Sequence, residues 1–104
     1  MSKEYSKLVR DKIPEIIMAE GGVPKVRILS NKEFQRELNK KLQEEVFEFL
    51  ADASIDELAD IQEVVHGILQ SMDKTFEELE AVRLDKKEKR GGFEQQIFLE
   101  SVKD

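Results

Sequence analysis

A chain of 104 residues has room for a single hydrophobic core, so residues 1–104 are expected to form one domain. Hydrophobic residues make up 39% and charged residues 38%, a balance that suits a small helical domain better than a disordered chain. A net charge of −6 argues against a general nucleic-acid binder, which carries a basic face, and a chain without cysteine has no disulfide framework, thiol nucleophile or thiolate metal site.

The first helix is expected to start near Asp11 and run through IPEIIMAE, with Pro14 tolerated in its first turn and Gly21-Gly22 stopping it. VPKVRILS (23–30) is rich in Val and Ile and follows helix breakers, which predicts a short strand. Ser30 opens S-N-K-E, a capping box with Glu33, and leads into a long helix from about 31 to 52. Ser54 opens S-I-D-E, a second capping box with Glu57, for a helix from about 55 to 71. Thr75 opens T-F-E-E, and the fourth helix runs to about Arg90, where Gly91-Gly92 end it and Phe93 packs on the bundle. The tail FEQQIFLESV (93–102) has a β-leaning centre that pairs with 23–30 as a small two-stranded β-ribbon.

The fold class expected is therefore all-α, a small four-helix-type bundle with that short ribbon. Its second and third helices form an antiparallel hairpin with broad apolar stripes, for which a homo-oligomer is expected. No stretch approaches ~18 apolar residues and the N-terminus lacks a signal-peptide run, so the protein is read as cytoplasmic, with no membrane partner.

Helical residues advance by about 100° each, and this sorts the acidic residues of 43–60 by direction. Phe34, Leu38, Leu42, Val46, Phe49 and Leu50 define the apolar arc of the second helix. Glu45 projects inside that arc, Glu48 lies at its edge, and Glu44 faces solvent. On the third helix Leu58, Ile61, Val64, Val65, Ile68, Leu69 and Met72 define the arc, with Glu57 inside and Asp60 at the border. Both acidic pairs lie near the connecting turn, so the hairpin brings all four together. Clustered carboxylates repel and are costly to bury, which a hard divalent cation would resolve. The residues alone leave a second reading standing at even weight. Glu57 is also the cap partner of Ser54, and Glu45 and Glu48 can bridge to Lys41 or to a basic residue of another subunit.

Positive charge answers in two places. On the fourth helix Phe76 and Leu79 begin an inward face that Arg83, Lys86, Lys87 and Arg90 continue, although basic residues favour helix C-termini in any case. Lys7, Arg10 and Lys12 surround the start of the first helix, where free amides favour anions. His66, the single histidine, reads as a packing residue.

EEVFE (44–48) followed by ELAD (57–60) resembles the E-E-x-x-E … E-x-x-D signature of the all-α nucleotide pyrophosphohydrolases. KLVRDKIPEII (7–17) and KRGGFE (89–94) are similar to the small MazG-like, or phosphoribosyl-ATP pyrophosphohydrolase-like, branch of that superfamily. The resemblance implies Mg²⁺, or Mn²⁺, held by Glu45, Glu48, Glu57 and Asp60, with Glu44 assisting from outside the ligand set. It implies a nucleotide substrate cleaved between its α- and β-phosphates, and phosphate contacts from Lys7, Arg10, Lys12, Arg83, Lys87 and Arg90. It also implies a homodimer or homotetramer and no nucleic-acid polymer as partner. Only eight residues separate Glu48 from Glu57, shorter than the usual MazG spacing, and the KRGGF end differs from the basic motif of phosphoribosyl-ATP pyrophosphohydrolases. The expected activity is a nucleoside triphosphate pyrophosphohydrolase of nucleotide-pool house-cleaning. The alternatives are phosphoribosyl-ATP pyrophosphohydrolase itself and a catalytically silent helical assembly module.

Overall fold

A computed structural model of the chain describes residues 5–104. Its four helices are α1 (Ile13–Ala19), α2 (Asn31–Ala51), α3 (Ile55–Ser71) and α4 (Phe76–Arg90). The fold is all-α, of the small helical-bundle class, and none of the described residues forms a strand. The chain divides into two compact units, the first reaching to Asp73 and the second spanning Lys74–Asp104.

Each long helix starts where a hydroxyl can accept from an orphan amide of the first turn. Ser30 Oγ accepts from the Glu33 amide at 3.2 Å, and Glu33 returns the bond to the Ser30 amide at 3.1 Å. Ser54 and Thr75 accept from Glu57 and Glu78 in the same way. Such caps contribute about 1 kcal/mol each. Pro14 sits in the first turn of α1, where its missing N–H costs nothing. Gly91 ends α4 at φ 83°, a conformation that would strain a side chain.

In the first unit α2 and α3 pack against each other as the expected antiparallel hairpin. Gly67 allows the close approach, because a Cβ there would stand 2.8 Å from Leu38 Cδ2. Among the described residues, Leu38, Val64 and Leu69 are the buried apolar ones. At the open end of the hairpin, Nδ2 of Asn31 and Nε2 of Gln35 both donate to the Ser71 carbonyl, at 3.1 and 3.0 Å. These bonds satisfy one of the carbonyls that the end of α3 leaves without an intrahelical partner.

Four expectations are corrected. Residues 23–30 and 93–102 form no ribbon. Pro24 removes a ladder donor, and a two-stranded ribbon without a covering layer is marginal in water. The 23–30 segment is anchored instead by Arg27, whose Nη2 donates to Glu33 at 2.9 Å. Phe93 is 96% exposed rather than packed. The apolar arcs of α2 and α3 are covered only in part, since Val46, Leu50, Leu58 and Met72 stay exposed. One helix against one helix can bury only the strip where they touch. His66 likewise lies on an exposed part of α3.

Leu38 is the centre of the seam, at 4% exposure. Leu38→Ala is expected to lower unfolding free energy by about 2–5 kcal/mol in urea titration. A loss below about 1 kcal/mol would show that the seam is not what holds the hairpin.

Candidate metal centre at the hairpin seam

The carboxylates of Glu45, Glu57 and Asp60 converge, each offering an oxygen within 4.8 Å of the others'. Glu45 comes from the α2 side of the seam, Glu57 and Asp60 from the first two turns of α3. All three are half-buried. The Oε2 atoms of Glu45 and Glu57 are closed off from solvent and accept no hydrogen bond. A buried carboxylate oxygen without a donor is costly, and such groups in native structures call for an explanation.

Two glutamates at equivalent cap positions show how the site is built. Glu33, three residues after Ser30, completes a reciprocal capping box and binds Arg27. Its pKa falls to about 2, through the Arg27 hydrogen bond first and the Ser30 bonds next. Glu57, three residues after Ser54, receives the Ser54 cap on its amide but does not return its carboxylate. The expected second capping box is therefore only half formed, and the Glu57 side chain turns into the seam. Its pKa is raised, chiefly by desolvation and then by the charges of Glu48 and Asp60. Glu45 is raised too, by desolvation first and then by Glu48.

Glu48 is exposed and has no atom in the converging set, although its charge acts on both Glu45 and Glu57. Three of the four expected ligands thus converge, with Glu48 beside them. Glu44 faces outward as expected and pairs with Lys41 at 3.5 Å.

Of the basic candidates in the first unit, Arg10 is the one brought to the carboxylates. Its Nη2 donates to Asp60 Oδ1 at 2.8 Å, across 50 residues of sequence. Lys7 instead lies 5.5 Å from the Tyr5 ring centroid, a cation–π contact, and Lys12 is the N-cap of α1. In the second unit Arg83 pairs with Glu80 and Lys87 with Glu94, while Arg90 lines a depression shared with residues 91–97. The Arg10–Asp60 pair joins two ends of the first unit, and no local sequence pattern marks it.

A divalent cation fits this donor set. All the donors are oxygens, two of them lack partners, and a hard cation such as Mg²⁺ is held through one or two carboxylates, with waters and phosphates completing its shell. A shallow groove of about 290 Å³, lined by Gln35, Asn39, Ile68, Ser71 and Met72, lies toward the other end of the hairpin.

The raised pKa values fix a sign for the metal-free protein. A carboxyl whose folded pKa exceeds its unfolded value of 4.5 contributes stability below that value and loses it as pH rises through the folded pKa. Glu33 acts oppositely, and its contribution is lost as pH falls from 4.5 toward 2. In chelator, wild-type stability is expected to decline as pH rises above 4.5, and Glu57→Gln is expected to flatten that decline. Denaturant titrations at a series of pH values measure it, and an identical slope in the variant would refute the seam electrostatics.

No family model matches the chain, and no solved structure matches it. One curated protein, an uncharacterized protein of Mycolicibacterium smegmatis, is 50% identical over 46 residues, which are 44% of this chain and 47% of that protein. The match thus spans just under half of that relative's length and carries no stated activity.

Proposed function

We propose that the chain is a Mg²⁺-dependent nucleoside triphosphate pyrophosphohydrolase, cleaving between the α- and β-phosphates to release pyrophosphate and a nucleoside monophosphate. The observation that carries this reading is the convergence of Glu45, Glu57 and Asp60 with two buried carboxylate oxygens that have no partner. Stability does not favour such an arrangement, and strained electrostatics of this kind concentrate at functional sites. The signature resemblance of residues 44–60 supplies the reaction class. As part of the same proposal the enzyme works in the cytoplasm as a homodimer or homotetramer.

In this mechanism Glu45, Glu57 and Asp60 would hold the cation. When bound, Mg²⁺ lowers the pKa of water and neutralises charge on the phosphoryl oxygens. Glu48, exposed beside the converging set, would accept the proton of the attacking water. Arg10, paired with Asp60, would hold a phosphate of the substrate. Its fork of donors suits that contact.

A nucleotide panel incubated with Mg²⁺ or Mn²⁺, with pyrophosphate detected, tests the activity. Turnover of at least one triphosphate is expected, and Glu57→Gln is expected to reduce it by about 100-fold or more. Turnover of phosphoribosyl-ATP alone would move the assignment to histidine biosynthesis, and no turnover at all would favour a silent assembly module. Thermal melting separates the metal from the chemistry. Millimolar Mg²⁺ is expected to raise the Tm of the wild type and not of Glu57→Gln.

A further inference from the structure

Of the basic residues of α2, Lys41 alone is half-buried. It stands four residues before Glu45 and seven before Glu48. The helical repeat therefore stacks the three along one side of α2, the ammonium first and the two carboxylates after it. The Lys41 side chain is 20% exposed, whereas the lysines of the other ion pairs keep between 48% and 71%. A lysine buries its stem readily when its head can reach water or a counter-charge. Here the buried stem limits where the head can go.

The head turns toward the acids. Its Nζ lies 3.5 Å from Glu44 Oε2. Desolvation, and then the charge of Glu48, raise the Glu45 carboxyl, and the Lys41 charge opposes them. At 3.5 Å the contact with Glu44 is longer than the roughly 2.7–2.9 Å of a charge-assisted hydrogen bond. The Glu44 carboxylate is also 46% exposed, so solvent offsets much of the attraction. Lys41 thus carries a cation that packing positions and that its partner holds loosely. One helical turn, about 6 Å of rise, separates its level from that of Glu45.

Charge balance says what such a cation is for. The three converging carboxylates outweigh one divalent cation, and Arg10 on Asp60 only brings the balance to neutral. Glu48, whose charge reaches both Glu45 and Glu57, makes it negative again. A phosphate chain carries several negative charges and is not drawn to such a surface. The site asks for a further positive group at its edge, and Lys41 shares a column with two of the acids. We propose that the Lys41 ammonium holds a phosphate of the substrate beside the cation centre, leaving Glu44 for a phosphoryl oxygen. The inference rests on the function proposed above and adds a phosphate-binding residue to it. Glu44, the outward acid, is then the resting partner of Lys41.

Calorimetric titration of inorganic pyrophosphate into the full chain at millimolar Mg²⁺ is the test, together with melting in Mg²⁺ alone. Lys41→Met keeps the apolar stem and removes the charge, and is expected to weaken pyrophosphate binding about 10- to 100-fold. Lys41→Arg keeps the charge and is expected to recover most of the affinity. Lys40→Met, at the neighbouring 68% exposed position, is expected to bind as the wild type does. Mg²⁺ alone is expected to raise the Tm of Lys41→Met at least as much as that of the wild type, because a charge opposing the cation is gone. Loss of that shift would mean that Lys41 only positions the carboxylates, and would overturn the inference. Undiminished binding by Lys41→Met, equal weakening by Lys40→Met, or a wild type that takes up no pyrophosphate would overturn it as well. The activity is judged separately. Turnover of a triphosphate with undiminished pyrophosphate binding in Lys41→Met would sink the Lys41 contact and keep the activity. Binding lost in Lys41→Met without turnover of any triphosphate would keep the contact and sink the activity.

Discussion

The contact of Leu38 with Gly67 sets the register of everything else in the first unit. A side chain at residue 67 would meet Leu38 at 2.8 Å, so the glycine fixes both how near the helices come and where they touch. The chains run antiparallel, and levels along them follow by counting. Two turns toward the loop from Leu38 lies Glu45, and two turns back from Gly67 lies Asp60, so the two acids arrive at one level. Counting the other way, Gln35 and Ser71 arrive together and form a hydrogen bond at 3.0 Å. One close approach therefore places the acids at one end of the seam and locks the other end.

This register works against electrostatics. It brings like charges together where their pKa values rise by desolvation and mutual repulsion, and it leaves two carboxylate oxygens without donors. The charge of Lys41 offsets the repulsion at Glu45 in part, and Arg10 pairs with Asp60. That pair is more than half exposed on the arginine side, where solvent weakens such an interaction, and it does not reach the buried oxygens. A sequence selected only for hairpin stability would let Glu57 complete its capping box as Glu33 does. The contrast between these two glutamates, identical in local sequence role and opposite in pKa, is the physical sign that Glu57 serves something other than the helix start.

Local physics was legible in the sequence, and non-local physics less so. Ser30, Ser54 and Thr75 cap the helices they were expected to cap, because a cap is settled within four residues. The helical repeat likewise sent Glu45 and Glu57 inward and Glu44 outward. What the sequence could not carry is pairing at a distance. The 23–30 and 93–102 segments have β-leaning residues, yet strand formation needs a partner edge that propensity does not supply. The half-formed box at Ser54 had the same motif as the complete one at Ser30, and only the seam decided between them. Arg10 was one of six basic candidates, and nothing local set it apart. Counting arcs also says which residues are apolar without saying which of them a single chain can cover, so Leu50 and Met72 were expected inside and lie exposed.

The cation centre and the apolar residues that the hairpin leaves exposed bear on each other through rigidity. A cation centre needs its ligands held to within about half an ångström, by side chains that packing locks in place. Glu45 neighbours Val46 on α2, and Glu57 neighbours Leu58 on α3; in each pair the acid is half-buried and the apolar residue exposed. The seam centred on Leu38 and Gly67 restrains those backbones on the side that faces it. Covering Val46 and Leu58 would restrain the other side, one residue from each ligand, without touching the carboxylates. Geometry at the seam and coverage of the face are therefore coupled through the backbone. The proposed chemistry asks more of the helices than a hairpin left uncovered on that face supplies.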